Sequence, residues 1–203
     1  MIPKEGSLRD RQRAQIRADI SRAAFRLFIE RGYDAVTTEE IATAAGVSPR
    51  TLFRHVPTKE ELLLAPVRYG GAAIVNLLEQ RPAGESPDVA LVNAIITRTR
   101  SFDEADCEQW REALLGAPGL LDKVTIHTPA DKERAMKLIA ERMQSDPHAD
   151  IRPGLLVQLA FAAADFAFQR WVRQAMAPRP LDRYVTEALE AVKSPHWERK
   201  SRS

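Results

Sequence analysis

The apolar residues of this chain recur at helical spacing almost from end to end. Between Arg11 and Arg31 they fall at Ile16, Ile20, Ala23, Ala24, Leu27 and Phe28, the i, i+3, i+4 rhythm of a helix with one buried face. Gly32 stands where a C-cap glycine would end it. Thr37-Thr38-Glu39-Glu40 has the form of a helix start, with acids in the first turn and a capping box between Thr37 and Glu40. The short helix it opens turns Ile41, Ala42 and Ala45 inward and stops at Gly46. Ser48-Pro49 caps a third helix, which runs to about His55 and buries Leu52 and Val56; Pro57 closes it. Thr58-Lys59-Glu60-Glu61 opens a fourth. Pro66 removes a backbone donor from it, so a kink or interruption is expected there before the helix resumes to about Gln80.

The pattern stays helical beyond Arg81. Ser86-Pro87-Asp88 caps a helix to about Phe102, and another spans roughly Asp106–Leu115. Gly116, Pro118 and Gly119 break the chain before a short apolar helix to about Ile126. Thr128-Pro129-Ala130-Asp131 opens a charged amphipathic helix to about Ser145. Pro147 to Pro153 is expected to be a loop, Gly154 to Ala177 a long helix and Leu181 to Lys193 the last one. No strand pattern and no internal repeat interrupts this series. The expected fold is all-α.

Composition narrows the class. Apolar residues make up 44% and charged residues 29%, an ordinary globular mixture. The longest charge-free run in the apolar C-terminal third, Pro153–Ala164, falls far short of the ~18 apolar residues that suggest a membrane span. The first residues lack the apolar core of a secretory signal, so a cytoplasmic protein without a membrane partner is expected. The single Cys107 excludes an internal disulfide framework and any thiolate-rich metal site. His127, His148 and His196 stand apart without metal-ligand spacing, and no cofactor-binding motif occurs. The net charge is +2, and residues 1–65 carry all of that excess. So small an excess does not by itself indicate nucleic acid.

The spacing of the early helices does. Two short helices joined by Ala45-Gly46-Val47-Ser48 have the form of a helix-turn-helix, with glycine where a tight reversal calls for positive φ. The first helix braces the second, and the second presents its N-terminal side chains to base edges in the major groove. Those side chains are Ser48, Pro49, Arg50 and Thr51. Arg50 can reach guanine O6 and N7 with both prongs. Arg54 and His55 sit one turn on, suited to the backbone. Lys59 is a cation in the first turn of a helix, against the helix dipole; a phosphate gripped by Lys59 and the helix N-terminus would explain it. Arg9, Arg11 and Arg13 are equally open to phosphate contact or to a solvated helix start.

From Phe28 through Gly32-Tyr33, Val36-Thr37-Thr38, Ile41-Ala42, Ala45-Gly46-Val47-Ser48, Thr51-Leu52-Phe53, His55-Val56 and Lys59 to Leu62, the chain resembles the N-terminal domain of the TetR family of transcriptional regulators. The resemblance covers about Arg11–Leu64. It implies an all-α homodimer that binds double-stranded operator DNA, usually as a repressor, and releases it on binding a small effector. It implies a flexible tail over 1–10, a helix-turn-helix domain over 11–57, an effector-binding and dimerisation domain over 58–193, and a basic tail over 194–203. Thr38 matches a phosphate-bonding position, and Thr51, Phe53, His55 and Lys59 match positions on and after the recognition helix. The family commonly has tyrosine where this chain has Phe53, which removes one phosphate hydrogen bond. Glu39 stands where some relatives place a cation.

The remainder resembles effector domains of TetR-type regulators thought to take acyl-CoA-like ligands. A helix as apolar as Gly154–Ala177 must be buried on more than one side. The resemblance assigns it and Leu181–Lys193 to a dimer interface built on Leu155, Leu159, Phe166, Trp171, Tyr184 and Leu189. Ile95, Phe102, Trp110, Phe161 and Phe168 are candidates for an apolar effector pocket, with Arg98 as a cation beside it. Asp165 is the one acid inside the long apolar run. It needs a partner, for which Arg98, Arg100 and Arg170 are candidates, or it faces the effector. The competing readings are an activator or an effector-independent regulator of the same fold, and a small all-α enzyme centred on Asp165.

Overall fold

The structure, a computed structural model, describes residues 8–100, 106–121, 123–124, 126–174 and 179–193. About 77% of the described residues are helical, and they hold no strand. Eleven helices follow one another among them. In order they are α1 (Leu8–Arg31), α2 (Thr38–Ala44), α3 (Pro49–His55), α4 (Lys59–Arg68), α5 (Gly70–Glu79), α6 (Pro87–Arg100), α7 (Asp106–Leu115), α8 (Pro118–Leu121), α9 (Pro129–Met143), α10 (Ile151–Val172) and α11 (Leu181–Lys193).

The chain forms two compact units, one of residues 1–66 with 105–124 and the other of 67–104 with 125–203. In the first, α1 packs on α2, α3 and α7. Its core holds Ile20, Phe28, Ile41, Leu52 and Leu63, all but fully removed from water. The helix-turn-helix motif ends near Pro57, but the compact unit extends further. It takes in most of α4, and it takes in α7 because the buried Trp110 indole donates to the Leu63 carbonyl at 2.9 Å. In the second unit, α10 packs on α11, α9 and α6, and α5 packs on α6 and α9.

Five boundaries differ from the sequence expectation. α1 begins at Leu8, so 8–10 are helical rather than a tail; residues 1–7 lie outside the described residues. α4 runs through Pro66 to Arg68 and breaks at Tyr69 instead. There the Gly71 N–H leaves the helical ladder and donates to the Ile126 carbonyl at 2.9 Å. A Cβ at Gly71 would lie 2.8 Å from that oxygen and 2.5 Å from Asp131 Oδ2, so only glycine allows this approach. The apolar helix expected up to Ile126 is a single turn, Pro118–Leu121. α10 starts at Ile151, because Asp150 caps it and Pro153 falls in the first turn, where backbone donors have no helical partner anyway. It ends at Val172, with Arg173 as its C-cap, rather than at Ala177.

Two stretches, Pro49–Glu79 and Ile151–Val172, are long and apolar enough to cross a membrane by composition, which the charge-free run alone did not suggest. The first is three separate helices. The second is partly covered by the three helices packed on it.

Candidate nucleic-acid interface and ligand cavity

The turn between α2 and α3 is built as its residue types require. Thr37 and Glu40 close a reciprocal capping box, and Arg31 adds an ion pair to Glu40 at 2.8 Å. The bond from the Thr37 backbone, with Arg31 beside it, holds the Glu40 carboxyl down at about 2. Gly46 turns the chain at φ 67°. Ser48 Oγ then accepts from the Thr51 N–H at 3.1 Å and lies 2.9 Å from Thr51 Oγ1. Both hydroxyls are therefore committed first to the start of α3. With Leu52 and Val56 buried, the opposite face presents Pro49, Arg50, Phe53 and Arg54 to solvent. Phe53 is 46% exposed, an apolar cost that a base or sugar surface would offset. Thr38 sits half-buried at the start of α2, its hydroxyl donating to Glu39.

Lys59 has a structural role that its position in the sequence did not suggest. Its ammonium donates to the carbonyls of Tyr33 at 2.8 Å and Val36 at 2.9 Å, and it lies 4.2 Å from the centre of the Tyr33 ring. Two carbonyls and a ring face satisfy the cation that the helix dipole disfavours, so no phosphate is needed to explain it. It clamps the α1–α2 connection onto α4.

A basic groove of about 650 Å³ opens beside α3 instead. Arg9, Arg13 and Arg17, one face of α1, line it with Arg54 and His55. Burial keeps His55 below its ordinary value of 6.5, with Arg54, Arg17 and Arg13 adding repulsion. Arg17 was missed in the sequence reading, although the i, i+4, i+8 spacing of 9, 13 and 17 marks a single face.

The second unit holds a small cavity of about 40 Å³. Of the residues expected at an effector pocket, Ile95, Arg98 and Phe168 line it. Phe102 lies outside the described residues. Trp110 belongs to the core of the first unit, as its bond to Leu63 shows. Phe161 is buried and stacks on His127, with ring centroids 4.0 Å apart. Asp165 is not sealed in the core: its side chain is 41% exposed, and its neighbour is His127, whose Nδ1 lies 2.9 Å from Oδ1, rather than any of the three arginines considered. His127 has no sequence signature, since only tertiary packing brings it to α10.

The expected dimer residues divide in two. Leu155, Leu159 and Phe166 are 53%, 43% and 64% exposed and share one face of α10 with the exposed Ile151. Trp171, Tyr184 and Leu189 are buried inside the protomer, where they hold α10 to α11 and leave little surface for a partner.

A capped helix-turn-helix with an outward basic and aromatic face, joined to a helical second unit, defines a DNA-binding transcriptional regulator. Residues 20–65 match the bacterial regulatory proteins of the tetR family, and residues 85–196 match the MftR C-terminal domain. The chain belongs to the TetR family of transcriptional regulators and is not an enzyme. It is 33% identical over 181 residues to the regulator TcmR of Streptomyces glaucescens, covering 85% of this chain and 80% of TcmR. It is 30% identical over 154 residues to RutR of Escherichia coli K12, covering 72% of this chain and 73% of RutR. Its fold is similar to that of native NalD, the secondary repressor of the MexAB-OprM multidrug efflux pump in Pseudomonas aeruginosa. The TM-score is 0.59 at 19% identity, over 89% of this chain and 96% of NalD.

Proposed function

We propose that this regulator is a cytoplasmic homodimer that represses transcription from a pseudo-palindromic operator and is released by a small, largely apolar effector. The observation that carries the DNA reading is the exposed face of α3, where Pro49, Arg50, Phe53 and Arg54 stand clear of the core that Leu52 and Val56 anchor. Thr38, Ser48, Thr51 and His55 support that face through caps and phosphate contacts. Arg9, Arg13 and Arg17 extend it along the backbone. The Lys59 ammonium stays with its carbonyls.

The apolar stripe of Ile151, Leu155, Leu159 and Phe166 is what a second copy would cover, since a monomer seldom leaves so much apolar surface on one helix. Two recognition helices on such a dimer would enter successive major grooves about 34–36 Å apart. The mostly apolar lining of the cavity supports an apolar effector. At about 40 Å³ it must open to accept one, because ligand sites usually span roughly 300–1,000 Å³. An acyl-CoA-like effector would require the largest opening. Effector binding would favour a dimer with the wrong helix spacing, by no more than its preference between the two arrangements.

The test is fluorescence anisotropy on the gene's own upstream DNA and on scrambled DNA, across a salt series, with Arg50→Ala alongside. Sequence preference that weakens with salt, and that Arg50→Ala largely removes while keeping the salt slope, is the expected result. No binding to any DNA at low salt would overturn the proposal.

A further inference from the structure

His127 is buried in the second unit against Phe161 and Asp165. The residue is 4% exposed, and its ring stacks on Phe161 at an interplanar angle of 13°. Nδ1 lies 2.9 Å from Asp165 Oδ1, off the line of a hydrogen bond. The ring lines the cavity of the second unit, and its Nε2 is buried with no hydrogen-bond partner among the described residues. Buried polar atoms in native proteins almost always have a partner, and an exception calls for an explanation.

The surroundings say what would match it. Thr99 already donates its hydroxyl to the Ile96 carbonyl at 2.8 Å. Ile74, Ile95, Phe168 and Val185 make the rest of the lining apolar, and Arg98 contributes its aliphatic stem. The Asp165 carboxylate beside Nδ1 draws a proton to that nitrogen by its charge, which leaves the lone pair to Nε2. Nε2 is then a buried, unmatched acceptor on a residue of the cavity wall. The Asp165 charge just across the ring disfavours a second carboxylate. We infer that His127 recognises the hydroxyl of an uncharged, apolar effector, which donates to Nε2. This rests on the cavity being the effector site proposed above.

The test uses four small probes of one shape: 4-ethylphenol, 4-ethylanisole, ethylbenzene and 4-ethylbenzoate. Their binding to the full-length protein is measured by calorimetry, and the His127 nitrogens are followed by long-range proton–nitrogen NMR. The expected result is 4-ethylphenol binding about tenfold or more tightly than ethylbenzene and 4-ethylanisole, with the shift confined to Nε2. In His127→Phe, which keeps the ring stack and removes the unmatched nitrogen, the three should bind alike. That variant should also melt no lower than the wild type, whereas a purely structural histidine would lower Tm on removal. His127→Gln, whose amide oxygen can accept, should restore part of the preference. Equal affinity for 4-ethylphenol and ethylbenzene overturns this inference and leaves the cavity as an apolar effector site. Tightest binding of 4-ethylbenzoate overturns it in favour of a charge-reading site. If none of the four binds, both this inference and the effector role of the cavity fall.

Discussion

Lys59→Met separates the structural role of that lysine from the phosphate-gripping role suggested by its position in the sequence. Methionine keeps most of the aliphatic stem and removes the ammonium. The structure then loses two charge-assisted hydrogen bonds, to the Tyr33 and Val36 carbonyls at 2.8 and 2.9 Å, and the cation over the Tyr33 ring. Bonds to a charged donor contribute about 1.5–3 kcal/mol each, and the ring contact about 0.5–1 kcal/mol. The site is only part-buried and one carbonyl can regain water, so the lower end applies: about 3.5 kcal/mol, or a few hundredfold in the unfolding equilibrium. With a urea m-value of ~3 kcal/mol/M the midpoint falls by about 1 M. The assay is equilibrium urea unfolding followed by far-ultraviolet circular dichroism, at one fixed protein concentration because a dimer's stability depends on it. The salt dependence of operator binding is measured alongside. A phosphate-gripping lysine would instead leave the midpoint unchanged and reduce the salt slope by about one. That outcome would refute the clamp.

Other consequences are equally direct. The Glu40 carboxyl sits at about 2 in the folded chain against 4.5 ordinarily, so its contribution is complete above pH ~4.5 and is lost as pH falls towards 2; Glu40→Gln should flatten that part of the acid-unfolding curve. Burial, with Arg54, Arg17 and Arg13, holds His55 below its ordinary value; a bound phosphate would offset that repulsion and raise it, so operator affinity should rise as pH falls through the value in the complex, and His55→Gln should abolish the rise in anisotropy titrations. Leu159→Glu places a charge in the apolar stripe of each protomer, at a cost of several kcal/mol per dimer, and should give a monomer by light scattering at micromolar concentration; an intact dimer would move the interface elsewhere. Gly71→Ala forces its Cβ against Ile126 O and Asp131 Oδ2 and should destabilise the second unit by about 1–3 kcal/mol, read by thermal melting.

Local chemistry made the first third of the chain legible. Thr37, Glu40, Ser48, Pro49 and Gly46 act on backbone groups within three or four residues of themselves, so their order along the chain already specified two caps, a turn and the outward face of α3. The same locality explains why α11 has its expected bounds. The errors arose where a residue's partner is remote. Pro66 signalled a break, but the break fell at Tyr69, where Gly71 finds Ile126 some 55 residues away. Lys59 suggested a phosphate until the Tyr33 and Val36 carbonyls were seen beside it. Trp110, Trp171, Tyr184 and Leu189 are apolar at helical spacing, a pattern that burial within the protomer and burial against a partner or ligand produce alike. Which of those uses each side chain serves depended on which helices meet. That choice is made by long-range packing, whose register no short window of sequence records, and it alone brought His127 to Asp165 and Phe161.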